Sequence, residues 1–174
     1  MRTNLKSNLA SQDACTRLAL VAALCFSISC PGSVAFDRGK SAYVVCAARG
    51  EPAQASITRL TNYLGRVLGV PPLVVESLQS VPTNAPAVVV LLGTPGAFTS
   101  PKLGPSPESF SLSTETQAAH PVAVVRAGTE AGLPFAVQRL ILKSRQESAG
   151  LVIPNIESTV ETPWIERREW TICP

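Results

Sequence analysis

The sequence predicts an α/β domain of two layers, a mixed sheet of about five strands with two helices on one face. Three observations lead there. Apolar runs such as residues 42–48 (AYVVCAA) and 87–92 (AVVVLL) carry the β-branched residues that suit strands. These runs lack polar alternation, as expected of strands covered on both faces. Two further stretches space their apolar residues as helices do, and they alternate in part with the strands.

Taken in order, residues 42–48 read as a first buried strand, followed by a turn at Arg49-Gly50-Glu51-Pro52. From Gln54 to Leu68, the residues Ile57, Leu60, Leu64, Val67 and Leu68 recur at helical spacing. Gly69 is a fitting helix stop, with Pro71 and Pro72 just beyond it. Residues 73–76 give a short second strand, 81–86 a proline-containing connection, and 87–92 a third strand. The stretch 94–109, rich in Pro, Gly and Ser, reads as a loop. Residues 109–114 (SFSLST) alternate like a half-exposed edge strand, and 122–126 (VAVVR) form another buried strand. A turn over Gly128–Gly132 leads to a second helix from Leu133 to about Ser148, where Pro134 suits the first turn. Residues 151–153 add a last short strand, and 154–174 read as irregular.

Ahead of this domain, residues 1–35 read as an export signal. Arg2, Lys6 and Arg17 form a basic region, and Leu18–Ile28 is an apolar run. Ser33-Val34-Ala35 offers small residues where a signal peptidase reads them, with Phe36 as the new N-terminus. The apolar run falls well short of the ~20 residues that span a bilayer, which argues against a membrane anchor. Cys30 after Ile28-Ser29 admits a lipoprotein variant, although Ser27 stands where a bulky aliphatic residue is usual. The mature domain is then residues 36–174, periplasmic or extracellular.

The whole chain of 174 residues carries a formal charge of +3, and 45% of it is hydrophobic, enough for a real core. From Phe36 onward twelve basic residues face eleven acidic ones, close to +1. Such a balance gives no clustered basic face for a nucleic acid. Cys46 and Cys173 remain after cleavage, a pair that an oxidising compartment could join in a disulfide. The favoured alternative packs Cys46 in a buried strand as a small apolar residue.

Little in the chain suggests chemistry. Gly128-Thr129-Glu130-Ala131-Gly132 joins a strand to a helix, but its spacing fits neither a dinucleotide nor a P-loop site. His120 is the sole histidine and no Gly-x-Ser-x-Gly elbow accompanies it, so it reads as a loop residue. Glu157, Glu161, Glu166 and Glu169 could in principle pair as glycosidase carboxylates. They fall in the irregular tail without a rigid element to hold them, and solvated surface charges are the better reading. No catalytic residue, metal ligand or cofactor site is assigned.

Two stretches carry a family resemblance. The first is Ser56–Leu60 through Leu68-Gly69-Val70-Pro71 to Ala87–Gly93; the second is Val122–Gly128 with Glu130–Leu140, then Ile153-Pro154 and Glu161–Arg168. Together they resemble the small α/β domain that precedes the catalytic barrel in bacterial glycoside hydrolases, namely α-glucuronidases and β-N-acetylhexosaminidases, including O-GlcNAcase-like enzymes. Gly132-Leu133-Pro134-Phe135-Ala136 falls at the family's turn into the second helix. Pro163-Trp164-Ile165-Glu166-Arg167-Arg168 falls where the family leads into its first barrel strand.

The resemblance implies an exported, non-catalytic accessory domain associated with carbohydrate breakdown. Residues 154–174 would be an irregular lead-in to a barrel that this chain does not contain. The family's catalytic carboxylates lie in that barrel, so none can be carried over. The implied partner is a glycoside-hydrolase barrel or a glycan, with Trp164, Arg167 and Trp170 as docking or sugar contacts. A free-standing glycan- or partner-binding module is the alternative, and an independent hydrolase a third reading.

Overall fold

The structure is a computed structural model that describes residues 32–92, 103 and 106–163. Among the described residues, nine strands and two α-helices run β1 (Val34–Asp37), β2 (Tyr43–Cys46), α1 (Glu51–Leu68), β3 (Leu73–Val75), β4 (Val88–Leu92), β5 (Phe110–Gln117), β6 (His120–Ala127), α2 (Leu133–Lys143), β7 (Arg145–Glu147), β8 (Gly150–Ile153) and β9 (Thr159–Glu161). Six strands form a mixed sheet in the order β3-β2-β4-β6-β5-β9, and β1-β8-β7 form a small second sheet. The first four strands of the main sheet are parallel, while β5 and β9 are added antiparallel. The expected α/β class with a mixed sheet and two helices is therefore the class observed, with six strands in the main sheet.

Both helices lie on one face. Leu60, Leu64, Val67 and Leu68 of α1 and Leu133, Ala136, Val137 and Leu140 of α2 share a core with Val44, Val89, Leu91, Ala123 and Val125 of the sheet. Val34, Phe36, Leu151 and Ile153 of the small sheet join the same core. On the opposite face Val45, Val88, Val90, Val122 and Val124 cluster with Val81 and Ala85 from the β3–β4 connection. The central strands are thus apolar on both faces because both are covered.

Helix α1 starts earlier than its apolar spacing suggests. Gly50 is its N-cap and Pro52 lies in its first turn, so the expected turn over 49–52 is instead the helix start. Ser56, buried in the apolar face, donates its hydroxyl to the Pro52 carbonyl at 2.7 Å. The helix ends as the sequence indicates: Gly69 adopts φ +79° and its N–H donates to the Gly65 carbonyl at 2.9 Å.

Four expectations change. Helix α2 ends at Lys143, not near Ser148, because residues 145–147 pair with β8. The 109–114 segment is not an edge: β5 runs to Gln117 and lies between β6 and β9. The stretch after Pro154 is not wholly irregular, since β9 closes the sheet against Phe110–Leu112. Finally, Val34 and Ala35, the end of the expected leader, form the first half of β1 opposite Ile153 and Val152. The leader up to Pro31 and most of the 94–109 loop fall outside the described residues.

The β5–β6 hairpin turns through Ala118 and Ala119, both left-handed, at φ +48° and +68°. Two-residue hairpin turns of this kind favour Asn-Gly, because alanine resists a positive φ. Replacing Ala118-Ala119 by Asn-Gly is expected to stabilise the domain by about 1 kcal/mol. A urea midpoint that stays unchanged or falls would show that the turn is not strained.

Candidate functional site

In open α/β sheets, ligands are usually held beyond the carboxyl ends of the parallel strands. Among the described residues, that rim is built from the segments after β2, β3 and β6. Arg49, just after β2, ion-pairs with Glu76 after β3. Gly50 faces Glu130 so closely that any Cβ at position 50 would overlap the carboxylate. Glu130 thereby sets a negative charge at the N-terminus of α1, where the helix dipole favours one. The place that an exogenous anion would take is filled by the protein's own side chain. The Gly128–Gly132 turn is tight for a packing reason: a Cβ on Gly132 would come within 3.0 Å of the Glu108 carbonyl oxygen and of the Ala127 Cβ.

Cys46 ends β2 beneath this rim, free and buried. Burial pushes its thiol above the ordinary range. The Ala48 backbone partly opposes that push, and the Glu130 carboxylate adds to it. Since folding raises this group's pKa, the stability linked to it is present below the unfolded thiol value. It is lost as pH rises through the higher folded value. Alkylation at pH 8 is therefore expected to be much slower in the folded protein than in urea. Equal rates in the two states would refute the buried-thiol account. Cys173 lies outside the described residues, so the structure places only one member of the expected pair.

His120 is not a loop residue. It opens β6 at 3% exposure, and its Nδ1 lies 3.1 Å from the Ala85 carbonyl oxygen. That contact ties the β3–β4 connection to the second core, a structural task. Among the described residues, no hydrogen bond links it to an acid in the manner of a triad.

Among the acidic candidates, Glu161 is on a strand and not in an irregular tail. It pairs with Arg139 at 2.9 Å and with Lys143 at 4.0 Å, pinning β9 to α2. Glu157 is exposed, while Glu166 and Glu169 lie outside the described residues, as do Trp164, Arg167 and Trp170. On the other face of the sheet, Arg126 bridges Glu115 and Ser113, each at 2.9 Å. Among the described residues, no three His, Cys, Asp or Glu side chains come together as metal ligands. No helix among them is long and apolar enough to cross a membrane.

An open concavity lies where the chain leaves β9. Phe110, Phe135, Leu142 and Pro163, together with the polar side chains of Gln138, Arg139, Glu161 and Thr162, line an open groove of about 380 Å³ between α2 and the sheet edge. Leu142 is 66% exposed there. The Gln138 Oε1 is buried and accepts no hydrogen bond among the described residues. The groove's lining is as polar as it is apolar, and the Arg139–Glu161 ion pair lies along it. Sequence reasoning missed it, because Phe110, Gln138 and Pro163 meet only in the folded chain.

No family model matches this chain, and neither does any curated protein. Several solved structures align with it. A GH115 4-O-methyl-α-glucuronidase with specificity for decorated arabinogalactans aligns over 62% of this chain and 14% of its own, at 14% identity and a TM-score of 0.45. A GH20 exo-β-N-acetylglucosaminidase from Vibrio harveyi aligns over 75% of this chain and 17% of its own, at 13% identity and a TM-score of 0.48. A GH20 chitobiase from Flavobacterium johnsoniae aligns over 71% and 18%, at 16% identity and a TM-score of 0.43. The chain thus spans less than a fifth of each of these proteins.

Proposed function

We propose that this chain is an exported, non-catalytic accessory domain of a glycoside-hydrolase type protein, associated with carbohydrate breakdown. The carrying observation joins sequence to fold. The two stretches that bear the family resemblance supply α1, β3 and β4 in one case and β6 and α2 in the other. Both helices cover the same face of one sheet. The third piece of the resemblance, beginning at Glu161, leaves the sheet edge beside the groove of Phe110, Phe135 and Leu142. In this reading the groove and the Trp164–Trp170 stretch form the surface on which a catalytic barrel docks. The domain acts by supporting that barrel.

A free-standing module that binds a glycan or a protein partner is the second reading, supported by the open groove of mixed apolar and polar lining beside β9. Calorimetric titration of the purified chain with oligosaccharides separates the two. The accessory reading expects no heat of binding and no turnover of aryl-glycosides, together with an in-frame barrel in the gene beyond the codon for Pro174. Saturable oligosaccharide binding by a stable monomer, without such a barrel, would favour the binding module. Aryl-glycoside turnover that survives repeated purification would overturn both.

A further inference from the structure

We infer that export processing cuts this chain N-terminal to Val34, in the stretch 29–33, and not after Ala35. The inference rests on the export reading above and sharpens it. Ser33-Val34-Ala35 satisfies the small-residue rule of signal peptidases, but it is not alone. Ser27 and Ser29 present small residues for a cut before Cys30, and Cys30 and Gly32 do so for a cut before Ser33. In each case water hydrolyses one peptide bond, leaving a carboxylate on the leader and an ammonium on the domain. Sequence alone does not choose among the three bonds, whereas the fold does.

All four residues of β1 pair with β8, from Val34 opposite Ile153 to Asp37 opposite Gly150. Val34 is 1% exposed and Phe36 3%, both within the main core. Just past the strand, the Arg38 N–H donates to the Ala149 carbonyl at 2.7 Å, and the Gly39 N–H to the Leu68 carbonyl at 2.8 Å. The partner strand is shaped for β1 as well: Gly150 has φ +153°, and a Cβ there would overlap the Phe36 carbonyl. A cut after Ala35 removes Val34 from the core and half of the ladder. It also turns the Phe36 nitrogen from a strand amide into a chain-terminal ammonium, charged at neutral pH, in the middle of the β1–β8 ladder. A cut upstream of Val34 leaves the strand whole and puts the ammonium in front of it.

The test uses the full chain, expressed in a Gram-negative host and recovered from the periplasm or membrane, with the N-terminus read by intact mass and N-terminal sequencing. The expected start is Cys30 or Ser33; a lipid-modified Cys30 counts as the first of these. A folded mature protein starting at Phe36 would overturn the inference. Retention of Met1 in the cytoplasm would instead mean that the export reading itself has failed, and the inference with it. A second variant keeps the result independent of trimming after cleavage. Ala35→Arg destroys the small-residue site at Ala35, and position 35 lies on the outward, partly exposed face of β1. Processing of this variant is expected to proceed at the wild-type extent. Accumulation of the uncut precursor would show that Ala35 is the residue the peptidase reads.

Discussion

Replacing Gly150 with alanine is expected to cost about 4 kcal/mol of folding stability, at the upper end of single-site effects. Two causes add. Position 150 has φ +153°, a conformation that side-chain-bearing residues rarely adopt. In addition, a Cβ there would overlap the Phe36 carbonyl and lie 2.9 Å from the Arg38 nitrogen, both of them backbone atoms that cannot rotate away. The strand β1 would have to leave its ladder, exposing Val34 and Phe36. Gly39→Ala is the control: Gly39 also has a positive φ, +81°, but nothing lies within 4 Å of its added Cβ. Its cost should be about 1 kcal/mol, from the backbone alone. Urea unfolding of both variants checks this. Equal losses at the two positions would mean that β1 does not press on β8.

The second large effect is expected at Leu64. It sits in the middle of the α1 apolar face at 1% exposure. With Leu60, Val89, Leu140 and Leu151, it surrounds a gap of only about 10 Å³, so neighbouring side chains are already close-packed. Leu64→Ala removes three carbons and opens a cavity that α2 and the small sheet cannot readily fill. A loss of about 3 kcal/mol follows. A loss below about 1 kcal/mol would show that the helix layer slides to fill the space. The two variants probe different joints, Leu64 between the helices and the sheet, and Gly150 between the small sheet and its own N-terminal strand.

Elements that declare themselves through local chemistry were legible in the sequence. The α1 face from Leu60 to Leu68 and its Gly69 stop match the observed helix, because spacing and a left-handed glycine cap act within a few residues. The apolar runs at 43–46, 88–92 and 122–126 became the parallel centre of the sheet for a similar reason: two covered faces leave no polar positions. Three strands, β1, β7 and β9, escaped notice. β7 (RQE) and β9 (TVE) are short and mostly polar, and each pairs with a strand already in place, so neither needs an apolar signature. The β5–β6 turn was hidden too, since Ala118 and Ala119 hold a conformation that sequence rules assign to Asn and Gly.

The candidate site divides in the same way. Glu161 and Cys46 were picked out as residue types, but their surroundings were not foreseeable. The Arg139 and Lys143 partners of Glu161 come from a helix 18 to 22 positions earlier in the chain. Glu130 faces Gly50, and its charge is felt at Cys46, only because the turn after β6 lies near the end of β2, one strand away across β4.

By itself the sequence determined the fold class, the strand-and-helix alternation of the central half, and the family resemblance on which the accessory-domain proposal stands. Each of these depends on periodicity or on short motifs, which are properties of neighbouring residues. Only the tertiary structure decided that β1 pairs with β8, that His120 on β6 ties down the β3–β4 connection, and that Phe110, Phe135 and Pro163 meet in a groove where the chain leaves β9. Those features arise where residues distant in sequence meet. Burial and hydrogen-bond satisfaction, which fix them, are set by the partners a residue finds and not by its neighbours in the chain.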